Sequence, residues 1–146
     1  RDRIRQAYRS PELKMQASAL HAMGRNCDSQ WLPLLLTEMR SDEAELRYEA
    51  ARACGEIEDA NAVPRLVELL RDPDGDVQRA AAEALGNIGG EQAKRALQEL
   101  LDHPDRALRE SAAGALEALT SWANPLHFGD TNGGEDGPQG KDEEAE

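Results

Sequence analysis

Residues 41–71 read SDEAELRYEAARACGEIEDANAVPRLVELLR, and residues 72–102 read DPDGDVQRAAAEALGNIGGEQAKRALQELLD. Laid over one another without gaps, these two 31-residue stretches are identical at ten positions, and the shared positions are apolar or small apart from Glu68/Glu99. The same offset reaches backwards to 10–40 (SPELKMQASALHAMGRNCDSQWLPLLLTEMR) and forwards to a unit that begins at 103 (HPDRALRESAAGALEAL). Internal self-similarity at a fixed period of 20–50 residues is the mark of a stacked repeat architecture. The columns that align are Met15/Leu46/Val77/Leu108, Ala19/Ala50/Ala81/Ala112, Ala22/Ala53/Ala84/Ala115 and Met23/Cys54/Leu85/Leu116. In the second half of each unit Leu35/Leu66/Leu97 and Met39/Leu70/Leu101 align.

Spacings of four, three and one along 46, 50, 53, 54 and 57 put these residues on one helical face. Each unit therefore reads as two helices. The first is expected to start at a polar turn with Asp42, Asp74 or Asp105 as N-cap, a position where a short polar side chain accepts a free backbone N–H. It is expected to end at Gly24, Gly55 or Gly86, since glycine most easily takes the left-handed C-cap conformation. Pro33 and Pro64 stand near the start of the second helix, where a missing N–H does little harm. Ile4 and Tyr8 fall in the second-helix columns, so residues 1–9 read as the end of a preceding, truncated repeat. The full division is then 1–9, repeats at 10–40, 41–71 and 72–102, a partial repeat at 103–120, a C-terminal cap at 121–128, and a disordered acidic tail at 129–146.

A two-helix unit buries one face against itself and needs a neighbour to cover the other, so the core runs continuously along the stack. The invariant alanine column lets successive backbones approach closely. The fold class implied is all-α.

The segments 47–72 (RYEAARACGEIEDANAVPRLVELLRD) and 72–90 (DPDGDVQRAAAEALGNIGG) carry an Asp-rich turn, alanine pairs and a Leu-Gly-x-Ile end. In this they resemble HEAT-like repeats of the type found in phycobilisome bilin lyases, over residues 1–120. The resemblance implies a right-handed α-solenoid of stacked two-helix repeats, with protein binding as its commonest role. It fixes fold far better than function.

Composition narrows the function further. Of 146 residues 29 are acidic and 17 basic, a formal charge of −12, and this disfavours a nucleic-acid partner, whose phosphates need a Lys/Arg surface. Aromatics make up 3% of the chain, against 23 alanines, which fits closely packed helices rather than strands. No apolar run approaches the roughly 18 residues of a membrane span. Two cysteines make neither a disulfide framework nor a zinc site, and a cytoplasmic setting is the default.

Candidate chemistry is sparse. Deoxyhypusine hydroxylase, another protein with HEAT-like repeats, binds a di-iron centre through His-Glu pairs. At the comparable position this chain has Tyr48-Glu49, and its histidines occur as His21-Ala22, His103-Pro104 and His127-Phe128. No metal and no cofactor are expected. Asp72, Asp74 and Asp76 superficially resemble a calcium loop, but that loop needs glycine at its sixth position and here Val77 stands there. Acids at a helix start are favoured by its dipole. Cys54 shares a core column and reads as a small buried hydrophobe, while Cys27 lies in a loop. No nucleophile–base pair is evident, so catalytic residues are none. Arg47 and Arg109 share a column and are expected to bond acids of the preceding turn. Arg65/Glu68 and Arg95/Glu99 have the spacing of intrahelical ion pairs.

Trp31 and Leu34 depart from their columns, which hold Ala62/Ala93 and Arg65/Ala96. Tryptophan is a frequent interface anchor. The function expected is non-catalytic protein–protein interaction on the second-helix, concave surface, through Trp31, Leu34, Arg65, Glu68, Arg95 and Glu99. The alternative is a subunit of a bilin lyase-like enzyme or a cofactor-attachment chaperone. At the C-terminal end Glu117 replaces the column glycine, and Trp122, Leu126 and Phe128 are expected to fold back over Leu108, Ala112, Leu116 and Leu119.

Overall fold

Four helix starts, Leu13, Ala44, Gly75 and Arg106, stand 31 residues apart in the computed structural model of this chain, which describes residues 1–123 and their side chains through 120. The helices are α1 (Asp2–Tyr8), α2 (Leu13–Asn26), α3 (Leu32–Glu38), α4 (Ala44–Ile57), α5 (Val63–Leu69), α6 (Gly75–Ile88), α7 (Glu91–Glu99) and α8 (Arg106–Ala123). Short 3₁₀ turns at Ser29–Trp31 and Ala60–Ala62 lead into α3 and α5, and another at Leu100–Asp102 follows α7. No strand occurs among the described residues. The long first helices α2, α4, α6 and α8 pack in sequence as one layer, and the shorter α1, α3, α5 and α7 lie against them. The fold is an α-solenoid.

The polar turns before the first helices use one device with interchangeable side chains. Ser10 Oγ, Ser41 Oγ, Asp72 Oδ2 and His103 Nδ1, all in one column, accept the N–H of Glu12, Glu43, Asp74 and Asp105 at 2.9–3.1 Å. Those four donors stand at the N-cap positions, in register. Asp74 caps α6 through the N–H groups of Asp76 and Val77, and Asp105 accepts the Ala107 N–H at 3.0 Å. Asp42 lies one residue outside this column; Glu43 takes its place and makes no side-chain cap bond. Pro33 and Pro64 sit in the first turn of α3 and α5 as expected.

The glycines serve a purpose other than the expected one. α2, α4 and α6 run two residues past Gly24, Gly55 and Gly86 and end in caps at Cys27, Glu58 and Gly89. Cys27 and Glu58 take the left-handed conformation themselves, at φ 52° and 59°, which costs a residue with a Cβ about 1–2 kcal/mol. The column glycines are instead contact points. A Cβ on Gly24 would lie 2.7 Å from Ala53 Cα, on Gly55 2.9 Å from Ala84 Cα, and on Gly86 2.7 Å from Ala115 Cβ. Each seam between first helices is therefore a glycine pressed against an alanine of the next unit.

The alanine columns are buried throughout the centre: Ala19, Ala50, Ala81 and Ala112 are 0–2% exposed. Met15 and Leu101 leave their columns at 43% and 41% exposure. Both stand towards the ends of the described stack, where no described neighbour covers them. Ile4 and Tyr8 of α1 pack against the core, as their columns require. The tail beyond Ala123, including Leu126, Phe128 and the stretch 129–146, and the Trp122 side chain, lie outside the described residues.

Candidate protein-interaction surface

Two of the residues singled out for the second-helix surface are tied to the core. Trp31 is 1% exposed. Its Nε1–H donates to Asn26 Oδ1 at 3.1 Å, and the Arg5 guanidinium lies 5.1 Å from its ring centroid. An indole enclosed in this way seals the junction of α1, α2 and α3 and offers nothing to a partner; its column mates Ala62 and Ala93 are buried too. Leu34 is half-buried and packs against the same core.

The four charged residues face outward to different degrees, and neither expected intrahelical pair forms. Arg65 reaches back to α3, where its Nη1 donates to the Leu36 carbonyl at 2.6 Å. Glu68 lies 3.5 Å from Arg40, both about three-fifths exposed, a pair worth roughly 0–1 kcal/mol in water. Arg95 and Glu99 are exposed on α7 without contact to each other among the ion pairs of the described residues.

The arginine ladder runs towards the following turn, contrary to expectation. Arg47 makes a two-pronged bond to Asp72, Nε to Oδ1 at 2.7 Å and Nη2 to Oδ2 at 3.1 Å, while its Nη1 donates to the Ser41 carbonyl at 2.9 Å. The side chains are 14% and 5% exposed. Arg109 makes only the carbonyl half of this pattern, to His103 at 2.8 Å and Pro104 at 3.0 Å. Asp72, Asp74 and Asp76 each have a separate duty, since Asp72 holds Arg47, Asp74 caps α6 and Asp76 pairs with Arg79.

Where α3 and α5 meet the next first helix, Arg65 reaches the Leu36 carbonyl and Arg47 pairs with Asp72. One unit later the corresponding residues are Ala96, Gln78 and His103. Here the space is open. A groove of about 560 Å³ runs between α5 and α7, with Val67, Leu70, Ala96 and Leu100 as its apolar wall. Glu68, Arg71 and Glu99 rise at its rim and Gln78 and His103 close one end. Gln78 is too short to copy Arg47 and donates instead to the Leu70 carbonyl at 3.2 Å. Sequence reasoning named Glu68 and Glu99 but missed the groove between them. Its signal was present in the shrinking column Arg65 to Ala96.

Other titratable groups serve packing. Burial pushes the Cys54 thiol up to about 12, with Asp59 adding to the shift. Burial and a hydrogen bond to Glu38 carry the Tyr8 hydroxyl up to about 12 as well. Bonds from Gln30, with Arg1 nearby, hold Asp28 below the usual carboxylate range. On the outer face Glu49 Oε1 is buried without a hydrogen bond, 3.5 Å from His21 Nδ1 and 3.7 Å from Arg52 Nη1. Among the described residues no helix is long and apolar enough to cross a membrane.

The family described as HEAT repeats matches residues 1–72 and 32–117. Among solved structures, the complex of CpcE and CpcF of phycocyanin lyase from Nostoc is similar at a TM-score of 0.71 and 25% identity, over 83% of this chain and 53% of that one. Human deoxyhypusine hydroxylase in complex with glycerol gives a TM-score of 0.72 at 28% identity, over 82% and 43%. An engineered protein gives 0.63 at 28%, over 81% and 61%. The chain thus spans 43–61% of the length of these three. No curated protein is matched by sequence.

Proposed function

Because the chain belongs to the HEAT-repeat family, we propose that it is a non-catalytic interaction module that holds another protein against its second-helix surface. The observation that carries this reading is the open groove between α5 and α7, apolar along its wall and charged at its rim. An interface of that make-up, with an apolar centre and a polar edge, is how protein surfaces recognise each other. The mechanism is shape: glycine–alanine seams hold successive units in fixed relation, so side chains on α3, α5 and α7 keep their spacing before a partner arrives and little ordering cost is left for binding. The working residues are Arg65, Glu68, Arg95 and Glu99, with Leu34 and Val67 between them; Trp31 acts from inside by fixing where α3 starts. The Nostoc structure is itself a complex of two proteins, which agrees with this reading.

The test is site-specific photo-cross-linking in cells that express the protein, with the reactive group placed in turn at Glu99 on α7 and at Glu83 on the exposed side of α6. Adducts to a protein partner from position 99 and none from 83 are expected. Adducts confined to position 83 would sink the proposal.

A further inference from the structure

We infer that the α5–α7 groove takes a basic side chain from its partner, an arginine flanked by aliphatic residues, and that this arginine occupies the place Arg65 fills one unit earlier. The inference rests on the interaction reading above and names the chemistry of what is bound.

The chain supplies its own precedent. Between α3 and α5 the guanidinium of Arg65 crosses to the Leu36 carbonyl at 2.6 Å. Thirty-one residues on, the carbonyl in that column belongs to Val67 and the arginine has become Ala96. The Val67 carbonyl accepts the Leu70 N–H at 3.2 Å, and a carbonyl oxygen has a second lone pair to offer. Removing the arginine stem also exposes apolar wall, from Val67, Ala96 and Leu100, that its methylenes would have covered, as such stems do. Two further charges are lost at the same place, since Gln78 and His103 stand where Arg47 and Asp72 stand one unit before.

The rim keeps two carboxylates that can meet a cation. Glu68 and Glu99 flank the opening, one on each helix. Arg71 shares the rim and Arg40 lies 3.5 Å from Glu68 on its far side. Both are exposed, so they can turn to solvent at little cost when a partner cation enters. Arginine fits better than lysine, because its planar fork can donate to a carbonyl and a carboxylate at once, whereas an ammonium is a compact point charge without that fork.

A displayed library of random peptides panned on the whole chain tests the inference, followed by binding measurements on the selected peptides. Selected peptides should be enriched in arginine beside leucine, isoleucine or valine. They should lose affinity about tenfold or more on Ala96→Arg, which restores the chain's own plug, and on the double variant Glu68→Gln/Glu99→Gln. Glu83→Gln serves as the control. Unchanged helical dichroism and melting show that each variant folds, and the double variant keeps the test decisive should Ala96→Arg misfold. Selected peptides without basic residues, arginine peptides that bind Ala96→Arg as well as the parent, or no selected peptides at all would overturn the inference. Peptides that lack arginine yet cross-link to α5 or α7 would leave the interaction surface standing. Peptides that cross-link only to the first helices would remove both.

Discussion

Replacing Gly55 with alanine sets two effects against each other. Inside a helix alanine is favoured over glycine by about 0.5–1 kcal/mol, but the new Cβ would lie 2.9 Å from the Ala84 Cα, and a backbone atom does not step aside. Overpacking of this kind costs about 1–3 kcal/mol, so Gly55→Ala is expected to destabilise by roughly 1–2 kcal/mol. Gly114 is the control. A Cβ there meets nothing within 4 Å, and Gly114→Ala should stabilise by about 0.5–1 kcal/mol. Urea melts of the two variants check both signs, and a stabilised Gly55→Ala would show that the seams are looser than described. The glycine columns were visible in the sequence, but their purpose was not. Glycine is used both for a left-handed backbone and for a missing Cβ, and one letter does not separate the two; the left-handed caps fell on Cys27 and Glu58. Cys54 was read correctly as core, and its burial has a consequence for alkaline stability. The folded thiol titrates at about 12 against an ordinary value of 9.0. Between those limits the unfolded chain has given up a proton that the folded chain retains, so stability falls as pH rises through the window. Tyr8, shifted from 10.0 to about 12, acts in the same sense. Cys54→Ala should lower stability at about pH 7, where it opens a small cavity, yet show a shallower decline towards about pH 10 by denaturant melts. An equally steep decline would remove Cys54 as a cause.

At the scale of elements, the join between the second and third units depends on Arg47, which ties the start of α4 to the turn before α6. Arg47→Ala leaves Asp72, whose side chain is 5% exposed, as a buried charge without its counter-ion. Losing one member of such a pair costs about 3 kcal/mol or more. Arg109→Ala removes only bonds to carbonyls in its own turn and should cost about 1 kcal/mol. Thermal melts of the two variants rank them, and equal losses would mean that Asp72 finds other partners. The first helices and their buried faces could be read from the columns alone, because burial repeats with the period. The bonds of the arginines could not. A side chain of that length reaches several acceptors, and sequence spacing favours the nearest one on its own helix, as with Arg65 and Glu68, whereas stacking delivers a carbonyl from the neighbouring unit. Asp42 was named as a cap by residue type, and the cap position falls on Glu43. Aspartate is the stronger capper by type, and only the register of Ser41, Asp72 and His103 shows which position the turn presents.

In the whole molecule each unit touches mainly the one before and the one after, and the period that reveals this is plain in the sequence. The groove between α5 and α7 was hidden for the opposite reason, since it arises where one unit departs from the others. At the far end Glu117 is exposed in the glycine column, so a further first helix could not approach α8 as α8 approaches α6. The seams have a mechanical consequence. A chain pulled from its two ends carries the load through every seam in series, and the seams are alike: one glycine against one alanine, too close to leave room for a Cβ on the glycine. Tension should therefore detach units one after another. Each release lengthens the tether by the contour of 31 residues, about 100–110 Å, less the folded span recovered. An optical trap should record a short staircase of nearly equal treads, and a single drop over the full contour would show that the units yield together. Under the proposed interaction role, a partner held across α5 and α7 would be released when the seam beneath it opens.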